Sequence, residues 1–151
     1  MGNPNDQIEA QLFTMLRATQ AIQVRTATGE ALLERSTYGI LCLLDDEGPQ
    51  RLGAIAHRFH LDPSTITRQV QTVVRLGLAE KVTDTTDRRA SVLSLTGEGQ
   101  SAVTEARIRR RGVLDAILKE WTAAEREEFL RAITRFNNTV DGWAKQTEGP
   151  R

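Results

Sequence analysis

The stretch "RLGAIAHRFHLDPSTITRQVQTVVRLGLAEK", residues 51–81, limits the possible folds more than any other part of the chain. Leu52, Ile55, Ala56 and Phe59 recur with the three- and four-residue spacing of one helix face, which predicts a short amphipathic helix. "HLDP" ends it. Asp62 is placed to cap a following helix, and Pro63 suits the first helical position, where no N–H donor is needed. The second helix puts Ile66, Val70 and Val73 on one face. Its other face shows Ser64, Thr65, Thr67, Arg68, Gln69, Gln71, Thr72 and Arg75, and Gly77 follows as a C-terminal cap. Two such helices around a tight turn form a helix-turn-helix.

Two extended segments come next, at about 78–83 and at 90–95, with Leu93 and Leu95 on one face. Between them "DTTDRR" is the expected tip of a hairpin. Upstream, residues 7–27 read as a helix whose Ile8, Leu12, Met15, Thr19 and Ile22 form a narrow seam, broken at Gly29. Residues 36–46 read as a largely buried helix with Ile40, Leu41, Leu43 and Leu44, capped by Ser36, and "DDEGPQ" reads as a turn. After Thr96 a long helix is expected to about Lys119. "TAAE" at 122–125 has the form of a capping box, and the helix it opens carries Phe129, Ile133, Phe136, Val140 and Trp143 at the same seam spacing.

The chemistry lies in the middle of the chain. Net charge is zero, from 20 basic and 20 acidic residues, but residues 49–95 hold seven basic groups against four acidic ones. That leaves a basic centre between acidic flanks, a possible phosphate footprint. No carboxylate occurs between Pro63 and Gly77, whereas an ordinary solvated helix face mixes in Glu or Asp. Ser, Thr, Gln and Arg hydrogen-bond both phosphates and base edges. Arg88 and Arg89 at the hairpin tip would suit the negative potential of a narrow minor groove, and Asp87 would hold an arginine in one geometry. The bland alternative is a solvated turn with an incidental ion pair.

Residues 36–99 resemble the winged helix-turn-helix core of the MarR family of bacterial transcription regulators. The matching stretches are "STYGILCLL", "GPQRLGAIAHRFHLDPSTITRQVQTVVRLGLAEK" and "TDRRASVLSLTGEG", with flanking helices of matching length and order. The resemblance implies a mainly α fold with a small β-hairpin wing, an α+β winged helix-turn-helix with N- and C-terminal dimerisation helices. It implies one MarR-like domain over 1–151, with 36–99 as the DNA-binding part and 7–27 and 98–145 as the dimerisation part. By position, Arg68 matches the recognition-helix arginine, Arg89 the wing-tip arginine, Asp87 its orienting partner and Arg88 the neighbouring motif arginine. Where the family often has proline, this chain has Thr85.

The expected function is therefore sequence-specific transcriptional regulation, as a repressor released by a small-molecule effector. The partners would be a palindromic double-stranded DNA operator and a second copy of the chain. The two terminal seams call for a dimer independently, because palindromic sites demand two-fold symmetry. Ser64, Thr65, Thr67, Arg68, Gln69, Thr72, Arg75, Asp87, Arg88 and Arg89 are the candidate DNA-binding residues. The family resemblance places an effector between the dimerisation helices and the winged part, where Met15, Thr19, Tyr38 and Cys42 are the candidates. The alternative is a winged-helix dimer serving as a protein-interaction adaptor without specific DNA binding.

Other residues have plainer readings. Cys42, the single cysteine, reads as a small buried hydrophobe rather than a redox switch, and it suits a reducing cytoplasm. His57 and His60 lack the spacing of a metal site, and no metal or cofactor is expected. "RIRRR" at 107–111 reads as a solvated or interfacial face, one that could line an anion pocket. Trp121 and Trp143 read as core or interface residues. No catalytic set or phosphate loop occurs at useful spacing, so an enzyme is not expected. No apolar run reaches membrane-spanning length and the N-terminus shows no secretory signal.

Overall fold

The cap at Asp62 organises the centre of the fold. Its carboxylate accepts the backbone N–H groups of Ser64 and Thr65, each at 3.0 Å, and Pro63 opens the helix behind it. Two donors that no helical carbonyl can reach are thereby satisfied. The computed structural model describes residues 2–19, 24–25, 32–33 and 35–147. The elements are α1 (Pro4–Thr19), β1 (Val24–Arg25), β2 (Leu32–Leu33), α2 (Arg35–Glu47), β3 (Gln50–Arg51), α3 (Leu52–Phe59), α4 (Pro63–Arg75), β4 (Ala79–Thr83), β5 (Ser91–Leu95), α5 (Gly97–Ile117) and α6 (Ala123–Thr147). The chain divides into two compact units, Met1–Gly112 and Val113–Arg151. No helix among the described residues is long and apolar enough to cross a membrane.

In the first unit the core joins four helices and the sheet. Ile40, Leu41 and Leu44 of α2 meet Ile55 of α3, Ile66, Val70 and Val73 of α4, Leu93 of β5, and Ala102 and Val103 of α5. Each large apolar side chain removed from water here contributes about 1.5–3 kcal/mol. The predicted inner face of the second helix is thus the buried one. Helix α4 ends in a Schellman turn: Gly77, at φ +71°, donates to the Val74 carbonyl and Leu78 to that of Val73. The three-stranded sheet has the order β3-β5-β4, all antiparallel, with Gln50 opposite Leu93 and Lys81 opposite Leu93 from the other side.

The turn from sheet to α5 gives Leu95, Thr96 and Gly99 of "SLTGEG" their roles. Thr96 Oγ1 donates to the Gly77 carbonyl at 2.6 Å and accepts the Gly99 N–H at 3.0 Å. A Cβ on Gly99 would fall 1.9 Å from the Leu78 carbonyl oxygen, so only glycine lets α5 pass this close to the turn that ends α4.

In the second unit the predicted capping box is present. Thr122 N–H donates to Glu125 Oε2 at 2.7 Å, and the Glu125 N–H returns to Thr122 Oγ1 at 3.3 Å. Helix α6 buries no residue: Phe129, Leu130, Phe136, Val140 and Trp143 are between 41% and 65% exposed. Trp121 meets Phe129 edge-on at 5.6 Å, yet neither it nor Trp143 is a core residue of the described chain.

Three local expectations change. The first helix begins at Pro4 and ends at Thr19, and Val24–Arg25 pairs with Leu32–Leu33 as a two-residue ribbon instead of continuing it. Residues 20–23, 26 and 27 of the expected helix, and the break at Gly29, lie outside the described residues. β-branched residues crowd this stretch of the sequence, and they weaken a helix while favouring extended pairing. Helix α2 starts at Arg35, which puts Ser36 inside the first turn rather than before it. The "DDEGPQ" turn also ends early, because Gln50 and Arg51 join the sheet as β3.

Candidate nucleic-acid interface

Helix α4 presents the expected outer face. Ser64, Thr67, Arg68, Gln71 and Arg75 are exposed, while Thr65, Gln69 and Thr72 are half-buried beside the core face. Arg68 and Arg75 make no salt bridge among the described residues. The hydroxyls, however, are already spent as donors. Those of Ser64 and Thr65 donate to the Asp62 carboxylate, the latter at 2.6 Å. Those of Thr67 and Thr72 donate to the carbonyls of Pro63 at 2.7 Å and Arg68 at 3.1 Å. What these four side chains offer outward is oxygen lone pairs; the donors on the face are arginine and glutamine. The hydroxyl and backbone hydrogen bonds of Ser64 and Thr65 hold the Asp62 carboxyl well below the usual carboxylate range.

The wing is the β4–β5 hairpin. At its tip Arg88 and Arg89 are exposed, the Arg89 side chain to 96%. Asp87 Oδ1 accepts the Arg89 backbone N–H at 3.0 Å and lies 3.6 Å from Arg89 Nε, so the expected partner is in place but holds the guanidinium loosely. A tighter arrangement, absent from the sequence reading, sits at the base. Arg51 Nε and its terminal nitrogen reach Asp84 Oδ2 at 2.8 and 2.6 Å. Asp84 Oδ1 accepts the Thr86 N–H at 2.8 Å and the Thr86 hydroxyl at 2.7 Å. These bonds, those from Thr86 first and then that from Arg51, depress the Asp84 carboxyl far below its ordinary value. "DTT" does carry a local signal for this, since an Asp side chain commonly accepts the N–H two residues on.

The effector candidates fall into two groups. Tyr38 and Cys42 lie one turn apart on α2, both half-buried. Burial, with the neighbouring Cys42 thiol adding to it, pushes the Tyr38 phenol up to about 12 despite the opposing charges of Arg110 and Arg107. Met15 is exposed on α1, and the side chain of Thr19 lies outside the described residues. The sequence reading missed Arg110, whose guanidinium carbon lies 4.2 Å from the centre of the Tyr38 ring. Its Nε–H is shut off from solvent with no hydrogen-bond partner among the described residues. Arg107, from the same "RIRRR" run, is interfacial: it bridges to Asp45 at 2.5 Å and Asp46 at 2.7 Å, fastening α5 to the end of α2. Among the described residues no group of His, Cys, Asp and Glu forms a metal site.

A family model described as the MarR family matches residues 33–91. The chain is also 35% identical over 136 residues to an uncharacterized HTH-type transcriptional regulator, YxaD, of Bacillus subtilis (strain 168), a match spanning 89% of this chain and 94% of that relative. The chain belongs to the MarR family. Among solved structures, RV1404 from Mycobacterium tuberculosis is similar with a TM-score of 0.75 at 26% identity, covering 93% of this chain and 96% of the other. BpsR of Bordetella bronchiseptica, whose DNA binding is regulated by 6-hydroxynicotinic acid, has the same fold at 20% identity and a TM-score of 0.69, over 87% of this chain and 98% of its own. MarR-family proteins are DNA-binding transcription regulators, not enzymes. This chain is a winged helix-turn-helix regulator of that kind, which favours DNA-dependent regulation over the adaptor reading.

Proposed function

We propose that this MarR-family regulator is a homodimeric cytoplasmic repressor, held on a palindromic operator and released by a small aromatic effector. Residues 36–99 would form the DNA-binding part and the terminal helices the dimerisation part. One observation carries the DNA reading: α4 buries Ile66, Val70 and Val73 and turns outward a face with no carboxylate between Pro63 and Gly77. On that face Arg68 is the bidentate base reader, with Gln69 and Arg75 as further donors. Ser64, Thr65, Thr67 and Thr72 serve as acceptors for exocyclic base amines, because their own protons are committed inward. Asp87, Arg88 and Arg89 form the wing contact with the flanking minor groove.

The apolar face of α6 supports the dimer, since a row of half-exposed aromatic and aliphatic residues needs a partner. Tyr38, Cys42, Met15 and Thr19 are the proposed effector contacts. Arg110 extends that set: a planar acid stacked near Tyr38 would give its Nε–H an acceptor that no described residue supplies.

The test is operator binding by Arg68→Ala. A bidentate arginine–guanine contact discriminates by about 1–3 kcal/mol, so the variant should bind the promoter DNA beside its own gene more weakly and relax preference at one position per half-site. Unchanged affinity for both cognate and single-base-variant DNA would remove Arg68 from the interface.

A further inference from the structure

We propose that Asp84 is a positioning residue for DNA binding: clamped beneath Arg51, it fixes the pose in which the wing presents Arg88 and Arg89. This rests on the reading of the wing tip as a minor-groove element.

The geometry starts with the sheet register. Arg51 lies opposite Val92, and Val92 opposite Val82. Residues directly opposite share a face, so Arg51, Val92 and Val82 line one side of the sheet, and Asp84, two residues past Val82, continues it. The Arg51 side chain therefore crosses the middle strand to reach Asp84. There one carboxylate gathers four donors: two guanidinium N–H groups on Oδ2, and the Thr86 N–H and hydroxyl on Oδ1. Its own N–H donates to the Ala90 carbonyl at 3.0 Å, closing the loop on the far side. A single residue thus ties together the edge strand β3, the end of β4, the tip turn and the start of β5.

The other wing acid does far less. The Asp87 carboxylate accepts one backbone N–H, with a 3.6 Å approach to a guanidinium that is 96% exposed, and its carbonyl accepts the Ala90 N–H at 2.9 Å. Exposed pairs of that kind hold geometry weakly. The Asp84 side chain, by contrast, is only 11% exposed, and its four accepted bonds fill a carboxylate's capacity. The seven residues from Asp84 to Ala90 have no buried apolar side chain of their own, so their order comes from polar bonds, and Asp84 accepts the most of these. A tip already ordered does not have to be ordered at the moment of binding.

The sign of one substitution separates positioning from simple charge. Asp84→Asn removes a negative group from a DNA-facing element. By charge alone it would bind DNA more tightly. By positioning it binds more weakly, because the Arg51 anchor is lost. Fluorescence anisotropy on operator DNA across several salt concentrations, with folding checked by circular dichroism at the assay temperature, compares wild type with Asp84→Asn, Arg51→Gln, their double variant and Arg89→Ala. Asp84→Asn is expected to weaken binding about tenfold, the scale of one lost charge-assisted contact, to flatten the salt dependence by about one unit per wing and to lose preference for A·T-rich flanks. The double variant should bind no more weakly than the worse single one. A loss of stability alone would leave the salt slope and flank preference of the folded protein unchanged. Thr86→Val, which keeps every charge and removes only one hydroxyl bond to Asp84, serves if Asp84→Asn does not fold, with an expected loss of roughly threefold. Full affinity in a folded Asp84→Asn or Thr86→Val protein, while Arg89→Ala binds poorly, overturns the positioning role and leaves the wing contact standing. If Arg89→Ala binds as wild type does, the wing contact fails and the positioning role falls with it.

Discussion

Arg89→Ala is the substitution that most directly tests the wing. Its side chain is 96% exposed and its only ionic neighbour among the described residues is Asp87 at 3.6 Å, so removing it disturbs little inside the protein and takes one cation from each wing. Each phosphate-neutralising contact contributes about 0.9 to the slope of log affinity against log salt, so two wings in a dimer account for roughly 1.8. Between about 50 and 200 mM salt, log salt changes by about 0.6, and the deficit of the variant should therefore shrink by roughly twelvefold over that range. The assay is anisotropy of labelled operator titrated with each protein at four salt concentrations, repeated on a duplex with G·C-rich flanks. The deficit should be larger with A·T-rich flanks, where the groove is narrow and its potential deeper. Asp87→Ala should also weaken binding, although it removes a negative charge, because its carboxylate holds the Arg89 backbone N–H and shapes the tip. A wild-type-to-variant ratio independent of salt would show that Arg89 displaces no counterions, and tighter binding by Asp87→Ala would show that it shapes nothing at the interface.

Three further outcomes follow from the same geometry. Charged replacements of Ile133 and Phe136 should convert a dimer into monomer or aggregate, since they put a costly unpaired charge into the proposed contact; light scattering at micromolar concentration reads this, and a native wild-type monomer would refute it. Gly99→Ala should destabilise the fold by about 1–3 kcal/mol or more in urea unfolding, because the new methyl meets a backbone carbonyl and not a flexible side-chain end. The Asp84 carboxyl is depressed in the folded state, so its contribution to stability should be complete above the unfolded value of about 3.9 and be lost as pH falls through the lower folded value. An acid titration followed by circular dichroism should then show the gap between wild type and Asp84→Asn constant near neutrality and closing only in acid.

What the sequence revealed was local. Asp62, Pro63 and Gly77 mark both ends of α4 because a cap, a fixed φ and a left-handed turn act within a few residues of themselves. Thr122 and Glu125 announce α6 for the same reason. Periodicity then told which face of α4 is buried. What stayed hidden was nonlocal. Gln50 and Arg51 look like the tail of a turn and become a strand only because Val92 and Leu93 lie beside them. The Arg51–Asp84 clamp spans 33 residues and the Arg107–Asp45 bridge 62, separations at which no spacing rule pairs one charge with another. "RIRRR" illustrates the limit: its reading as a solvated or interfacial face named no partners, whereas the helix sends Arg107 to the α2 aspartates, Arg109 to Glu105 and Arg110 onto a tyrosine ring.

The zero net charge of a DNA-binding chain also has a structural answer. Of the four acids between residues 49 and 95, Asp62 is folded onto the N-terminus of α4, Asp84 lies beneath Arg51, and Asp87 turns toward the Arg89 backbone. Each of these three accepts donors from the protein itself, and the Asp62 and Asp84 carboxyls are held well below their usual values by those bonds. Arg68, Arg75 and Arg88 have no such partners among the described residues and remain exposed. The local field on the recognition surface is therefore set by which charges are spent internally, not by the sum over the chain. On this view an acid added at an outward position of α4, such as Gln71→Glu, should weaken operator binding more than one added on the exposed face of α3, such as Gly53→Glu, although both change net charge equally. Equal losses in a salt-matched binding assay would mean that only the total charge matters, and the division of labour among these carboxylates would be wrong.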